Sequence, residues 1–545
     1  MARTAGYRRV EVASILIFLL VSLALLLANP ASQLSATIPC ENSPQVEALA
    51  SCMPNQGWAP LTVYFSAFGS AAADRIVRYQ WDLDGNGRLD TDATAAGGYA
   101  RYTYSKPGDY WVTLVVTDDQ GRAASDSLLV SVRHPASSSV DYWTIFDDSQ
   151  VRRIDVMLTQ ADWERMWADP PAQVEVPADV VIFGERLDDV GFSMRGQFSL
   201  RESGAKKPWQ IDTDAYVAGQ EYRNLRRLVF TNNIGDPSLL QEKLAYDMMY
   251  FAGVPASHAC FVEIWIDITD DDEPAAFWGV YTMVERVDRK FLANRFGPGN
   301  RDGNLYKASH AQRGPMDLVY YGPRIEDYPT QNGQYAYGKM TNEAAVDYSD
   351  VVQLCYVVDG AEYESPEAFA QALEEVLNVD SFLRYMAVVV TLSNWDIYPY
   401  TGNNYYLYHN PATGRFEWIP WDLAWGGDPR QPLFELDGPR LVPYAPLYER
   451  VFAVERYRRQ YAAYLDLLSR EWFTYEHVYD RASALHATLA PYVTQGTGDR
   501  MFFGNNATFA GEDFDRAWLD LPRMAGERSD FILTTLAQGG WDEER

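Results

Sequence analysis

Two Trp-Asp pairs carry the clearest chemical signal in this chain. Ser393-Asn394-Trp395-Asp396 closes an apolar helical stretch. Asn403-Asn404-Tyr405-Tyr406-Leu407-Tyr408 and Glu417-Trp418-Ile419-Pro420-Trp421-Asp422 follow it as strand-like segments. Asp396 and Asp422, with an amide from Asn404 or Asn403, arrive from adjacent loops and make an oxygen set suited to Mg²⁺ or Mn²⁺. One carboxylate is then left to accept a hydroxyl proton. A lone Asp after an aromatic residue is more often a cap or a turn residue, but two such pairs bracketing Asn-Asn-Tyr-Tyr are not what a random turn supplies.

Three upstream segments add charge in places where it could meet phosphate. Met194-Arg195-Gly196-Gln197-Phe198-Ser199 leads to Lys206-Lys207-Pro208-Trp209-Gln210-Ile211, a glycine turn followed by a lysine-bearing strand. Such a pair can cover and neutralise a phosphate chain. In Asn233-Ile-Gly-Asp236-Pro237-Ser238, Asp236 fits a helix N-cap and Pro237 the first helical position. Glu242 then falls in the second turn, either facing a lysine on a neighbouring strand or simply exposed. Trp278-Gly279-Val280-Tyr281-Thr282-Met283-Val284-Glu285 reads as a strand that can present backbone groups to a planar ring, or as ordinary core with Glu285 at its exposed end. Metal, lysine and an acid that orients a hydroxyl are the inventory of phosphoryl transfer. Paired acids would also fit glycoside hydrolysis, a reading that leaves Lys207 and Asn404 without roles.

The elements that must position these residues are strands first and helices later. Val180-Val-Ile-Phe and Phe261-Val-Glu-Ile-Trp-Ile read as strands, Asp236 to Phe251 as a helix, and 366–377, 380–392 and 447–470 as amphipathic helices. This is a large α+β domain of two lobes.

Taken together, the Arg-Gly turn, Lys-Lys-Pro-Trp, Asn-Trp-Asp, Asn-Asn-Tyr-Tyr-Leu-Tyr and Ile-Pro-Trp-Asp resemble the CotH family of atypical kinases of spore coats and microbial surfaces. The similarity runs from about Ile145 to beyond Tyr457. It implies a protein-kinase-like fold and ATP-dependent phosphorylation of Ser/Thr hydroxyls on surface or matrix proteins, or on the chain itself. By this resemblance Lys207 binds the ATP phosphates and Glu242 holds it. Asp396 orients the acceptor hydroxyl, while Asp422 and Asn404, with Asn403 as a second candidate, bind the metal. Arg195 and Gly196 lie over the phosphates and Glu285 near the adenine. Family members often carry Trp-Asp-x-Asp, where this chain has Ala424, and small or polar residues where it has Gln197-Phe198. The competing reading is a pseudokinase scaffold that binds cell wall or glycan, since 16 tryptophans and 36 tyrosines suit sugar stacking as well as a core.

Residues 53–133 are a separate unit of short β-branched and aromatic segments divided by turns such as Lys106-Pro107-Gly108-Asp109, the pattern of an immunoglobulin-like β-sandwich. With Trp81-Asp82 and Pro107-Gly108-Asp109-Tyr110 it resembles PKD modules, which serve as spacers or binding units. Within it, Asp82, Asp84, Asn86, Arg88 (through its carbonyl) and Asp90 alternate around two glycines, as calcium-loop ligands do, with Asp90 or Asp92 closing the shell. A solvated acidic turn is the plainer alternative.

The balance of 46 basic against 75 acidic residues, a net charge of −29, excludes nucleic acid and anionic lipid as partners of the surface at large. Arg3, Arg8 and Arg9 precede an apolar run from Val12 to Ala28, near the lower limit of about 17 residues for a bilayer span. Export follows, as a signal peptide cleaved near Leu34-Ser35-Ala36 or as an uncleaved membrane anchor. The chain therefore divides into 1–36 signal or anchor, 37–52 linker, 53–133 sandwich, 134–141 linker and 142–545 kinase-like domain. Cys40 and Cys52 are close enough in sequence for a bridge, and Cys260 and Cys355 either pair or stay buried thiols.

Overall fold

Alternation builds the N-terminal module. Along Gly108–Asp118, Val112, Leu114 and Val116 are buried while Trp111 is exposed, and Leu61–Ser66 turns Leu61, Val63 and Phe65 inward. These strands close a sandwich of two sheets around Trp81. One sheet contains Ser51–Met53, Leu61–Ser66 and Ala100–Tyr104; the other runs Gln56–Trp58, Ala123–Arg133, Gly108–Asp118, Ile76–Asp82, Thr91–Asp92. The computed structural model describes residues 46–134, 140–202, 204, 206–435, 441–493, 502–503, 507–508 and 511–539. The 1–36 segment and Cys40 lie outside them. Among the described residues no helix is long and apolar enough to cross a membrane.

The module starts earlier than expected. Ser51–Met53 pairs antiparallel with Leu61–Ser66, and Glu47 bridges Ala71, so residues 46–52 are sandwich rather than linker. Cys52, Cys260 and Cys355 are buried free thiols.

The first half of the large domain is a closed barrel of seven strands, in the order Val176–Ile182, Glu185–Met194, Trp209–Asp212, Arg227–Thr231, Ala276–Glu285, Ala259–Ile268, Arg152–Leu158. Phe192, Trp209, Phe230 and Met283 fill its interior. The alternate residues Val229, Val280 and Val284 face outward and join a second, larger core with the helix Gln241–Ala252. That core also holds the helices Val379–Thr391, Glu455–Leu467 and Tyr475–Val493. A four-stranded sheet, Gly338–Lys339, Leu305–Lys307, Tyr405–Asn410, Arg415–Pro420, packs into it. The predicted helix over 447–470 breaks at Val454 into Pro446–Ala453 and Glu455–Leu467.

The helix carrying Glu242 begins at Gln241, not beside Asp236. Leu239 takes a left-handed φ of 61°, which interrupts any earlier helical turn. Asp236 still caps from a distance: its carboxylate accepts the N–H groups of Ser238 and Gln241, both at 2.9 Å.

The sandwich is built into the larger core instead of standing off it as a spacer. Met53 is a core residue there. Arg384, on the helix Val379–Thr391, donates to Cys52 O (2.6 Å), Ala252 O (3.0 Å), Tyr464 Oη (2.9 Å) and Asp380 Oδ2 (2.8 Å). Asn55 reaches Asp380, and Gln56 donates to Gly253 O.

Candidate active site

The helix Val379–Thr391 starts under the Asn378 cap and is buried along almost its whole length, so its C-terminus is fixed. There the chain turns sharply. Ser393 has φ 53°, and Asn394 Oδ1 accepts the Asp396 N–H at 3.0 Å. Asn404, with φ 61°, donates through Nδ2 to the backbone oxygen of Asp396 (3.0 Å) and to its Oδ2 (2.8 Å). Trp421 N–H bonds Asn404 O at 3.1 Å, which brings Asp422 alongside. Asp422 is itself left-handed at φ 54°, and its N–H donates to Tyr246 Oη at 3.3 Å. Left-handed backbone at Ser, Asn and Asp is uncommon, and its concentration here marks a shape the surroundings enforce.

Gly426 ties the two Trp-Asp loops together. Its N–H bonds Leu392 O at 2.8 Å, and a Cβ at this position would lie 1.8 Å from Ser393 O. No side chain fits there.

Three carboxylates share this cleft. Glu242, held by a hydrogen bond from Thr231, is pushed up to about 8 by burial and by the Asp422 charge. Asp422 is accessible to solvent yet crowded by protein. Burial raises its pKa, Asp396 adds to the rise, and Arg195 and Lys307 oppose it. Carboxylates raised by burial and mutual repulsion, with one lone pair set fixed by an amide, are what a hard divalent cation relieves. Asp422, Asp396 and Asn404 therefore fit the metal their spacing suggested.

Asp396, Asp422 and Asn404 thus come together, and Arg195 joins them. Its N–H bonds Pro208 O at 3.0 Å and its guanidinium sits 5.7 Å from the Trp421 ring. Gly196 has φ 94°, and its carbonyl accepts from Gln173, which shapes the turn.

Three expected placements differ. Asn403 does not reach the acids: its Oδ1 accepts the His310 N–H at 3.1 Å. Lys207 makes no ion pair with Glu242; its amine donates to Leu200 O at 2.7 Å. Lys207 precedes the strand Trp209–Asp212, and its amine turns back to the short helix Phe198–Glu202 that carries Leu200. Lys206 lies over the Tyr281 ring at 4.9 Å, its pKa lowered to about 7 by burial, and Asp236 opposes that shift. Glu285 is neither exposed nor open to a ligand. It is buried, pairs with Arg295 at 2.7 Å and accepts the His258 N–H at 3.0 Å.

Sequence reasoning missed Tyr246, Gly426, Arg286 and Lys307. Arg286 Nη1 donates to Gln210 Oε1 at 3.0 Å. Lys307 lies 5.2 Å from the Trp421 ring and 5.5 Å from the Tyr406 ring. Burial, then Arg195 and Arg286, pushes its amine down to about 7. Only Gly426, in Trp425-Gly426-Gly427, carried a local signal.

In the acidic loop of the sandwich, Asp82, Asp84 and Asp90 can bring carboxylate oxygens within 4.8 Å of one another. The Asp82 carboxylate also accepts N–H groups from Gly85, Asn86 and Gly87. Asn86 Oδ1 accepts the Arg88 N–H. Asp92 is drawn away into a pair with Arg78.

A β-sandwich followed by a mixed α/β domain with an acid-amide cleft defines the class of protein. The CotH kinase protein family model matches residues 192–514, more than half of the chain, and the PKD domain model matches residues 43–132. The chain belongs to the CotH kinase protein family, with a PKD-like module at its N-terminal side. Among curated relatives, it is 26% identical over 337 residues to the inner spore coat protein H of Bacillus subtilis (strain 168), covering 60% of this chain and 83% of that protein. It is 20% identical over 290 residues to the invasin CotH3 of Rhizopus delemar, covering 52% of this chain and 45% of the relative. Among solved structures, the PKD1 domain of the Vibrio cholerae metalloprotease PrtV aligns at 29% identity over 16% of this chain and 96% of that domain, with a TM-score of 0.13.

Proposed function

We propose that this chain is an exported, ATP-dependent protein kinase acting on Ser or Thr hydroxyls of surface proteins or of itself. The observation that carries the reading is the Asp396–Asn404 hydrogen-bond pair set beside a left-handed Asp422 in a cleft that also holds Arg195. The relatives, a spore coat protein and an invasin, support a surface location.

Asp422 and Asn404 would hold Mg²⁺ or Mn²⁺, which would supply charge neutralisation at the phosphates. Asn404 fixes one Asp396 oxygen, so the other is free to orient the acceptor hydroxyl and take its proton as the new P–O bond forms. The bond from the γ-phosphorus to the bridging oxygen breaks, and ADP leaves with that electron pair. Arg195 steadies the equatorial charge. Position 424 is an exposed alanine, and the third carboxylate of the cleft is Glu242.

Phosphate transfer from labelled ATP, with Mg²⁺ or Mn²⁺ and a generic acceptor, tests this. Asp396→Ala is expected to lower the rate by about 10²–10⁴-fold, the range for a positioned proton acceptor, and Asp422→Ala to abolish it. A folded wild-type chain that incorporates no more label than these variants would sink the proposal. We further propose that Asp82, Asp84 and Asp90, with Asn86 and the Arg88 carbonyl, take a structural Ca²⁺. Calcium should raise the melting temperature of the wild type and not that of Asp84→Ala; equal curves would leave the loop as a solvated turn.

A further inference from the structure

We infer that the phosphate chain of the nucleotide is gripped by Lys307, with Arg195 and Arg286 beside it, and not by Lys207; this rests on the kinase reading above. Lys307 ends the strand Leu305–Lys307, where it pairs directly with Tyr406. Its amine lies over the Tyr406 and Trp421 rings at 5.5 and 5.2 Å. Arg195 approaches the same Trp421 ring at 5.7 Å. Arg286 is held on the barrel side by the neutral amide of Gln210. Arg195 and Lys307 therefore converge on Trp421, the residue immediately before Asp422, and the charge of Arg286 is felt by both.

What they lack is decisive. Among the described residues none of Arg195, Arg286 and Lys307 has a carboxylate at ion-pair distance. Other cations of this domain are engaged within the protein: Lys243 by Asp148 and Asp247, Arg295 by Glu285, Arg384 by Asp380, and Arg528 and Lys339 by backbone carbonyls. Like charges facing each other where protein crowds out water repel strongly, and a mobile anion with several oxygens removes that repulsion. Lys207 offers no such grip, because its amine is engaged by Leu200 O.

The experiment compares binding of ATP, AMP and inorganic tripolyphosphate to the full chain in Mg²⁺, by calorimetry. Charge-assisted contacts of about 1.5–3 kcal/mol translate into roughly 10- to 100-fold in affinity. Lys307→Met is expected to weaken ATP and tripolyphosphate by that factor while AMP changes little, and Lys307→Arg to stay within about threefold of wild type. Lys207→Met should also stay within about threefold. Arg286→Gln reads the same subsite from the barrel wall, independently of how Lys307→Met folds. Loss of ATP binding in Lys207→Met with Lys307→Met and Arg286→Gln unaffected overturns the inference. A wild type that binds tripolyphosphate through Lys307 but not ATP would keep the anion subsite and remove the kinase reading. One that binds neither removes both.

Discussion

Two regions of this molecule, the seam between sandwich and helices and the cleft between barrel and sheet, treat their cations in opposite ways. At the seam, Arg384 reaches two backbone carbonyls and a tyrosine on three other elements, and the Asp380 carboxylate one turn back on its own helix. Tyr99 repeats the pattern by donating to the buried Asp466, itself paired with Arg470. In the cleft, Arg195, Arg286 and Lys307 face one another, Glu242 and Asp422 stand at raised pKa, and Asn404 and Asp422 hold left-handed backbone. A satisfied network makes one rigid arrangement. An unsatisfied one stores free energy that a ligand of the right charge releases. The seam also ends at Ala252 and Gly253, the C-terminus of the helix whose first turn carries Glu242, so the finished region sets the pose of the unfinished one.

The largest expected effect tests whether the seam is complete. Arg384→Ala removes four hydrogen bonds and strands the carbonyls of Cys52 and Ala252. Breaking a buried charge pair costs about 3–5 kcal/mol. Asp380 is 44% exposed and can rehydrate, which places the expectation near the lower end. Chemical denaturation measures it, and limited proteolysis should show earlier cleavage around residues 51–56. A variant as stable as the wild type would mean the seam is no more satisfied than the cleft. The module would then be the detachable spacer its sequence suggested.

The same contrast explains what could be read from the sequence. The sandwich was legible because period-two burial and Gly/Pro turns are local signals, as in Gly108–Asp118. The acids were legible because Asp396, Asn404 and Asp422 meet through neighbouring stretches of chain, a helix end and a hairpin. Lys207 was misplaced because it precedes the strand, and its amine is taken by the Leu200 carbonyl of the short helix Phe198–Glu202, a contact that no local pattern marks. Glu285 needed Arg295, one helix further on, to become an anchor. Lys307 had no local mark at all, since Leu305-Tyr306-Lys307 is an ordinary strand end until Tyr406, Trp421 and Arg195 surround it. Likewise the seam joins residues such as Cys52 and Arg384 that lie in different domains of the sequence.

The smallest effect on stability falls on the cleft side, at Tyr246. Its hydroxyl accepts the Asp422 N–H, and it stands one helical turn beyond Glu242. Removing a single neutral hydrogen bond costs about 1 kcal/mol of stability, so Tyr246→Phe should fold and melt close to the wild type. Its effect on turnover is expected to be larger than its effect on folding, because Asp422 must be held in a backbone conformation it does not favour. The diagnostic readout is metal dependence. The Mg²⁺ concentration for half-maximal phosphate transfer should rise several-fold, with the KM for ATP nearly unchanged and the rate recovering at high Mg²⁺. A rate loss that no amount of metal restores would assign Tyr246 to general packing, and Asp422 would then owe its pose to the Trp421 and Gly426 contacts alone.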